Sequence, residues 1–211
     1  MSPFSLITGP AAHLPKDNID TDVIIRVERL AALERHELGQ YALEALRFRT
    51  DGTEEPAFIL NQPTFRNAPI LLAGANFGCG SSREAAVWAI MGLGIRCIVA
   101  SSFGDIFFNN CFQNGLLPIR LPSVHIQRLA TKAEKGVPLT VDLVQRIITS
   151  TDGYLVVFDI DPRQRDALLL GLDDIQLTLR EDERIRAWQS EDLQRRAWAW
   201  PSSSSLLRSR A

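Results

Sequence analysis

Short, mostly apolar stretches punctuate the middle of the chain: Ile70-Leu71-Leu72-Ala73, then Ile95 to Ala100 with Arg96 inside it, then Leu116 to Leu121 with Arg120 near its end. Each is bordered by a glycine and has the length of a strand covered on both faces. Between them lie Ser81 to Leu93, apolar almost all round, and Asp105 to Asn114. Both read as helices, the first of them buried. Strand–helix–strand–helix–strand with short connections predicts parallel pairing through crossover helices.

The flanks carry weaker rhythms. Phe4 to Gly9 reads as a short strand. Asp17-Asn18-Ile19-Asp20-Thr21-Asp22 is a polar, turn-prone run that leads into Val23-Ile24-Ile25. Ala31 to Phe48 has helical periodicity through Leu33, Leu38, Leu43 and Leu46, broken by Gly39. Beyond Lys135-Gly136, the stretches Leu139–Leu143, Arg146–Thr149 and Tyr154–Ile160 are strand-rich, with a turn expected at Asp152-Gly153. Pro162 to Leu170 reads as a helix stopped by Gly171, and Asp174 to Trp188 as a second, charged helix. The pattern predicts an α/β fold. It is a single domain over residues 1–190 with a parallel strand–helix–strand core and additional mixed strands. Residues 191–211, ending in a serine run, are expected to form a mobile tail.

Composition narrows the function. The chain has 211 residues, 45% of them hydrophobic, enough for one packed core. A formal net charge of −2 argues against a nucleic acid or an anionic membrane as partner. No basic start followed by an apolar run marks a leader and no apolar stretch approaches a membrane span, while the odd number and wide spacing of the cysteines make a reducing cytoplasm the simpler expectation. Cys79, Cys97 and Cys111 are odd in number and widely spaced, which is neither a disulfide framework nor a cluster or zinc motif. No metal ligands and no cofactor are therefore expected on this chain.

The chemistry concentrates in Asn76-Phe77-Gly78-Cys79-Gly80-Ser81-Ser82-Arg83-Glu84. Glycines let a backbone turn sharply and approach a ligand. A helix starting at the serines would aim unpaired N–H groups at an anion, and Arg83 adds a fork suited to a carboxylate. A purely structural reading is equally open, because Ser81-Ser82-Arg83-Glu84 also fits a Ser-x-x-Glu capping box. Spacing excludes a Walker-type phosphate loop, a dinucleotide fingerprint and a nucleophile elbow.

The loop resembles the signature of 3-isopropylmalate dehydratase small subunits, relatives of the swivelling domain of aconitases. Further blocks agree in order. They are Asn18-Ile19-Asp20-Thr21-Asp22-Val23-Ile24-Ile25, then Ser102-Phe103-Gly104-Asp105-Ile106-Phe107-Phe108-Asn109-Asn110 with Asn114-Gly115-Leu116-Leu117-Pro118, then Gly171-Leu172-Asp173-Asp174-Ile175. The resemblance implies a swivelling β/β/α-type domain and a hydro-lyase that interconverts 2-isopropylmalate and 3-isopropylmalate in leucine biosynthesis. It also implies a large partner subunit carrying a [4Fe-4S] cluster, and a small dicarboxylate substrate. By motif, Ser81 aligns with a proton-abstracting serine. Ser82, Arg83 and Asp22 align with substrate contacts, Arg83 with the carboxylate-binding arginine.

The chain departs from the family pattern at Ala85 and Val87, where many relatives have His and Pro, and at Arg26, where many have Pro. The substrate's alkyl group therefore stays open, with 2-methylmalate and dimethylmalate as alternatives. A non-catalytic anion-binding regulatory domain is a third reading. Trp88, Cys79, Asp105 and Asn109 read as packing, capping or solvated residues.

Overall fold

Every residue of the two central strands is buried, because both faces of the sheet they form are covered. The computed structural model describes residues 1–200. In chain order its strands and helices are β1 (Leu6–Gly9), β2 (Ala11–Leu14), α1 (Thr21–Ile24), α2 (Val27–Ala32), α3 (Glu44–Arg47), β3 (Ile70–Ala73), α4 (Glu84–Gly92), β4 (Cys97–Ala100), α5 (Asp105–Asn114), β5 (Leu117–Arg120), α6 (Ser123–Glu134), β6 (Leu139–Asp142), β7 (Ile147–Ser150), β8 (Leu155–Val157), α7 (Pro162–Leu170), α8 (Asp174–Leu179) and α9 (Asp182–Arg195).

Strands β2-β3-β4-β5 form a parallel sheet in that order, and β1-β6-β7-β8 form an antiparallel one. Side chains alternate across the parallel sheet. Leu71, Ala73, Ile98 and Ala100 join a core with Ile24, Phe77, Val87, Ile90 and Phe107. Ile70, Leu72, Val99 and Ile119 face the other way, into a core with Leu129 of α6 and with Val141 and Ile148 of the antiparallel sheet. Pro118 lies in β5, at the edge of the sheet, where its missing N–H costs no ladder bond.

The mixed α/β class and the parallel core follow the hydrophobic pattern. The strands expected near 70–73, 95–100 and 116–121, the helix Asp105–Asn114 and the helix Pro162–Leu170 all form. Gly171 closes α7 in the left-handed conformation, φ 67°. β2 and α6 are additions that the pattern did not single out.

Several local expectations are corrected. Ala31 to Phe48 is not one helix. It is the end of α2, a 3-10 segment Arg35–Tyr41 and the short α3. Leu33, Leu38 and Leu43 recur every fifth residue, which turns each by about 140° from the last, so one helix could not bury all three. Leu43 instead adopts φ 56°, and the buried Arg47 donates to the carbonyls of Gln40 and Ala42 at 3.2 and 3.3 Å. The charged stretch from Asp174 to Trp188 is likewise two helices, α8 and α9, parted at Arg180-Glu181. Asp182 and Glu183 open α9, where negative charge suits the helix dipole.

Among the described residues, packing divides the chain into two units, Met1–Leu172 and the stretch that begins at Asp173. Both sheets and every motif from Asp17 to Asn114 belong to the first. The boundary expected at residue 190 falls within α9 of the second unit, and residues 201–211 of the expected tail lie outside the described residues.

Candidate active site

Three loops leave the carboxyl ends of adjacent parallel strands: Pro15–Asp20 after β2, Gly74–Arg83 after β3, and Ser101–Gly104 after β4. Ligand sites in parallel sheets gather at this end. Here the loops are hydrogen-bonded to one another along their backbones. Asn18 N–H donates to Ala75 O at 2.9 Å, Gly78 N–H to Ile19 O at 2.7 Å, and Thr21 N–H to Cys79 O at 2.9 Å. On the far side, Phe77 N–H donates to Ser102 O at 3.1 Å and Gly104 N–H to Phe77 O at 3.0 Å. The glycine-rich loop thus lies between the other two, bridged to each by backbone hydrogen bonds.

Side chains reinforce the junction. Asp17 Oδ1 accepts from Ala75 N–H at 2.6 Å, Asn76 Nδ2 donates to Asn18 Oδ1 at 2.8 Å, and Ser102 Oγ accepts from Asn76 N–H at 2.8 Å. Gly78 has φ 71°, and a Cβ there would run into the Phe107 ring. Phe77 and Phe107 stack edge to face beneath the loop, ring centroids 5.5 Å apart.

These loop contacts decide where α4 begins. The helix expected from Ser81 starts at Glu84 instead, and Arg83 occupies the N-cap with φ −126° and ψ 103°. No side chain caps it, so the Ser81–Glu84 capping box does not form. Ser81 lies in the loop, its backbone carbonyl accepting from Thr21 Oγ1 at 3.1 Å. The contacts of Cys79 and Ser81 with Asp20 and Thr21 hold this stretch in the loop, and the helix starts three residues on.

Ser81 and Ser82 are exposed and Arg83 is half-buried. Arg83 Nη1 donates to Asp22 Oδ1, so the two charged residues of separate motifs meet directly. Asp20 is the true cap of α1, its Oδ1 accepting from Val23 N–H at 2.7 Å. The carboxylate of Asp22 is left free to reach Arg83. The result is a partly buried guanidinium already gripping one exposed carboxylate, in the loop of two exposed serines at the N-terminal end of α4. This is chemistry suited to a small carboxylate ligand.

Among the remaining candidates, Cys79 is half-buried in the loop, while Cys97 and Cys111 are buried, and burial pushes both thiols up. Among the described residues no group of three or more His, Cys, Asp or Glu is arranged to hold a metal ion. Trp88 packs partly buried and donates from Nε1 to Asn114 Oδ1 at 2.8 Å. Asp105 lies 3.7 Å from Arg120 in an exposed ion pair. Two residues of the junction were not singled out from sequence. Thr21 and Asn114 sit inside the quoted motifs, but only their side-chain partners reveal a role.

No helix among the described residues is long and apolar enough to cross a membrane. Comparison with known proteins agrees with the motifs. The model of the aconitase C-terminal domain matches residues 1–124. A 3-isopropylmalate dehydratase small subunit of Paramagnetospirillum magneticum is 50% identical over 191 residues, covering 90% of this chain and 95% of that one. One of Rhodospirillum rubrum is 51% identical over 187 residues, 88% of this chain and 90% of the other. A crystal structure of 3-isopropylmalate dehydratase from Methanocaldococcus jannaschii superposes with a TM-score of 0.65 at 28% identity, covering 86% of this chain and 99% of that one. With its motifs joined at one site and its length matched almost end to end, the chain belongs to the small subunits of 3-isopropylmalate dehydratase, within the aconitase C-terminal domain family.

Proposed function

We propose that the chain completes the active site of a 3-isopropylmalate dehydratase in leucine biosynthesis, interconverting 2-isopropylmalate and 3-isopropylmalate with a large partner subunit. The observation that carries this reading is the junction at Arg83, where the serine loop and the Asp-Thr-Asp motif meet. Relatives at about half identity bear the same name along nearly their whole length.

In this reading Arg83 holds a substrate carboxylate. Asp22 occupies the guanidinium in the free chain and yields to the substrate or orients it. Ser82 adds a hydroxyl contact. Ser81 removes the proton from the carbon beside the departing hydroxyl. A serine is a weak base unless its alkoxide is stabilised, and the α4 N-terminus with the Arg83 guanidinium supplies positive potential for that. A [4Fe-4S] cluster on the partner subunit would provide the Lewis acid for the substrate hydroxyl. The cysteines here support leaving that role to the partner, since two of the three are buried.

The reaction fits a cytoplasmic enzyme. The test is co-purification with the large subunit, then an anaerobic hydration and dehydration assay across alkylmalates. Turnover of 2-isopropylmalate above 2-methylmalate and dimethylmalate supports the reading. Preference for a smaller alkyl group would reassign the substrate, and failure to bind a large subunit would overturn the reading.

A further inference from the structure

Asn114 is 7% exposed. Its Oδ1 accepts from Trp88 Nε1 at 2.8 Å and from Arg35 Nη2 at 3.0 Å. Its Nδ2 donates to Glu84 Oε1 at 2.8 Å and to Asn110 O at 2.9 Å. A carboxamide has two donors and two lone pairs, so its bonding capacity is filled. Turning the amide over would aim its N–H groups at two other donors, which fixes its orientation. One side chain thereby ties together α4, α5 and the 3-10 segment Arg35–Tyr41.

We propose that Asn114 is a positioning residue for Arg83, acting through Glu84, and that it sets how tightly the site holds a substrate carboxylate. The proposal rests on the role given to Arg83 above. Arg83 opens α4 without a side-chain cap. The entrance to the helix is held instead from both sides, by Thr21 on the Ser81 carbonyl and by Asn114 on the Glu84 carboxylate. Glu84 follows Arg83 directly, so whatever fixes the Glu84 side chain also restrains the backbone that carries the guanidinium. The Asn114 amide engages that carboxylate and anchors it to α5. Asn114 is itself buried and fully hydrogen-bonded, which makes its amide a fixed anchor for the Glu84 side chain and so for the adjoining backbone of Arg83.

The test uses the complex reconstituted with its large subunit. Glu84→Ala, at an exposed position, is expected to raise KM for 2-isopropylmalate about tenfold while kcat stays within about threefold. Asn114→Asp sets a second carboxylate against Glu84. One of two such carboxylates takes up a proton more readily, so its KM defect should shrink from about pH 8 to about pH 6. Combining Asn114→Asp with Glu84→Gln re-forms the bond between the two side chains with donor and acceptor exchanged, leaves the Asn110 carbonyl without its donor, and should bring KM at least about threefold back toward wild type. A merely structural role would lower the unfolding temperature without moving KM and would show no such rescue. A wild-type KM in Glu84→Ala, or no recovery in the double variant, overturns the proposal.

Should the wild-type complex not turn over the substrate, the functional reading fails and the positioning is read separately. NMR of the full chain would then follow solvent exchange at Arg83 Nε–H. Exchange about tenfold faster in Glu84→Ala supports the proposal, and unchanged exchange overturns it.

Discussion

The Thr21 hydroxyl donates to the backbone carbonyl of Ser81 at 3.1 Å, and Thr21 itself is 1% exposed. A buried residue of one motif thus fixes the backbone of the exposed serine in another. With Ser81 held from beneath by its main chain, its side chain has no structural duty at the start of α4.

That separation sharpens the prediction for Ser81. Loss of a capping serine costs about 0.5–2 kcal/mol, but Ser81 is not the cap. Ser81→Ala should change stability by less than about 0.5 kcal/mol. It should lower kcat of the assembled enzyme by roughly 10²–10⁴-fold with little change in KM. Thermal unfolding of the chain and kinetics of the complex measure the two quantities. Near-normal turnover would remove Ser81 from the proton transfer.

Arg83→Lys keeps the charge and removes the planar fork. Substrate affinity should fall by about 1–3 kcal/mol, roughly five- to 150-fold. Titration with a malate analogue reads this directly. Equal affinity in wild type and variant would place the carboxylate elsewhere.

Gly104 adopts an ordinary φ of −61°, so alanine would suffer no backbone strain. Its Cβ would nevertheless lie 2.5 Å from Gly78 O and 2.9 Å from Cys79 Cα. Gly104→Ala should cost about 1–3 kcal/mol and push the serine loop away from the Ser101–Gly104 loop. Chemical denaturation reads the loss, and an unchanged midpoint would mean the loops are not in contact.

Acid stability should depend on Asp152. Its hydrogen bond from Lys132, reinforced by Ser150, holds the carboxyl down to about 2. An unfolded aspartate titrates near about 3.9. The folded pKa is the lower one, so on acidification the unfolded state binds the proton first. The contribution is complete above about pH 4 and disappears by about pH 2. Asp152→Asn should flatten the fall in stability across that window, measured by unfolding midpoints at successive pH values. Parallel curves for the two proteins would assign the acid sensitivity to other groups.

Much of the fold could be read from local pattern. The apolar runs at 70–73 and 97–100 are continuous because both faces of the sheet are covered there, while the edge strand at 117–120 ends on the exposed Arg120. Helix α7 carried its own start and stop in Asp161, Pro162 and Gly171. The region from Ala31 to Phe48 was misread because its leucines follow the shape of a folded-back loop around Arg47, and no local rule encodes that burial.

The candidate site divides in the same way. Sequence by itself determined which residue types are present, the glycines that permit the loop, and the parallel order that brings strand ends to one side. Only the tertiary structure decided that Asp22 reaches Arg83, that Thr21 takes the Ser81 carbonyl, and that α4 starts at Glu84. Ser-x-x-Glu is a local signal worth about a kilocalorie or so as a cap. It loses to a strand-like pairing of the loop with two others, which satisfies several backbone groups at once. Those pairings join residues dozens of positions apart in the chain. A helix start is a local choice only until a distant segment claims the same backbone.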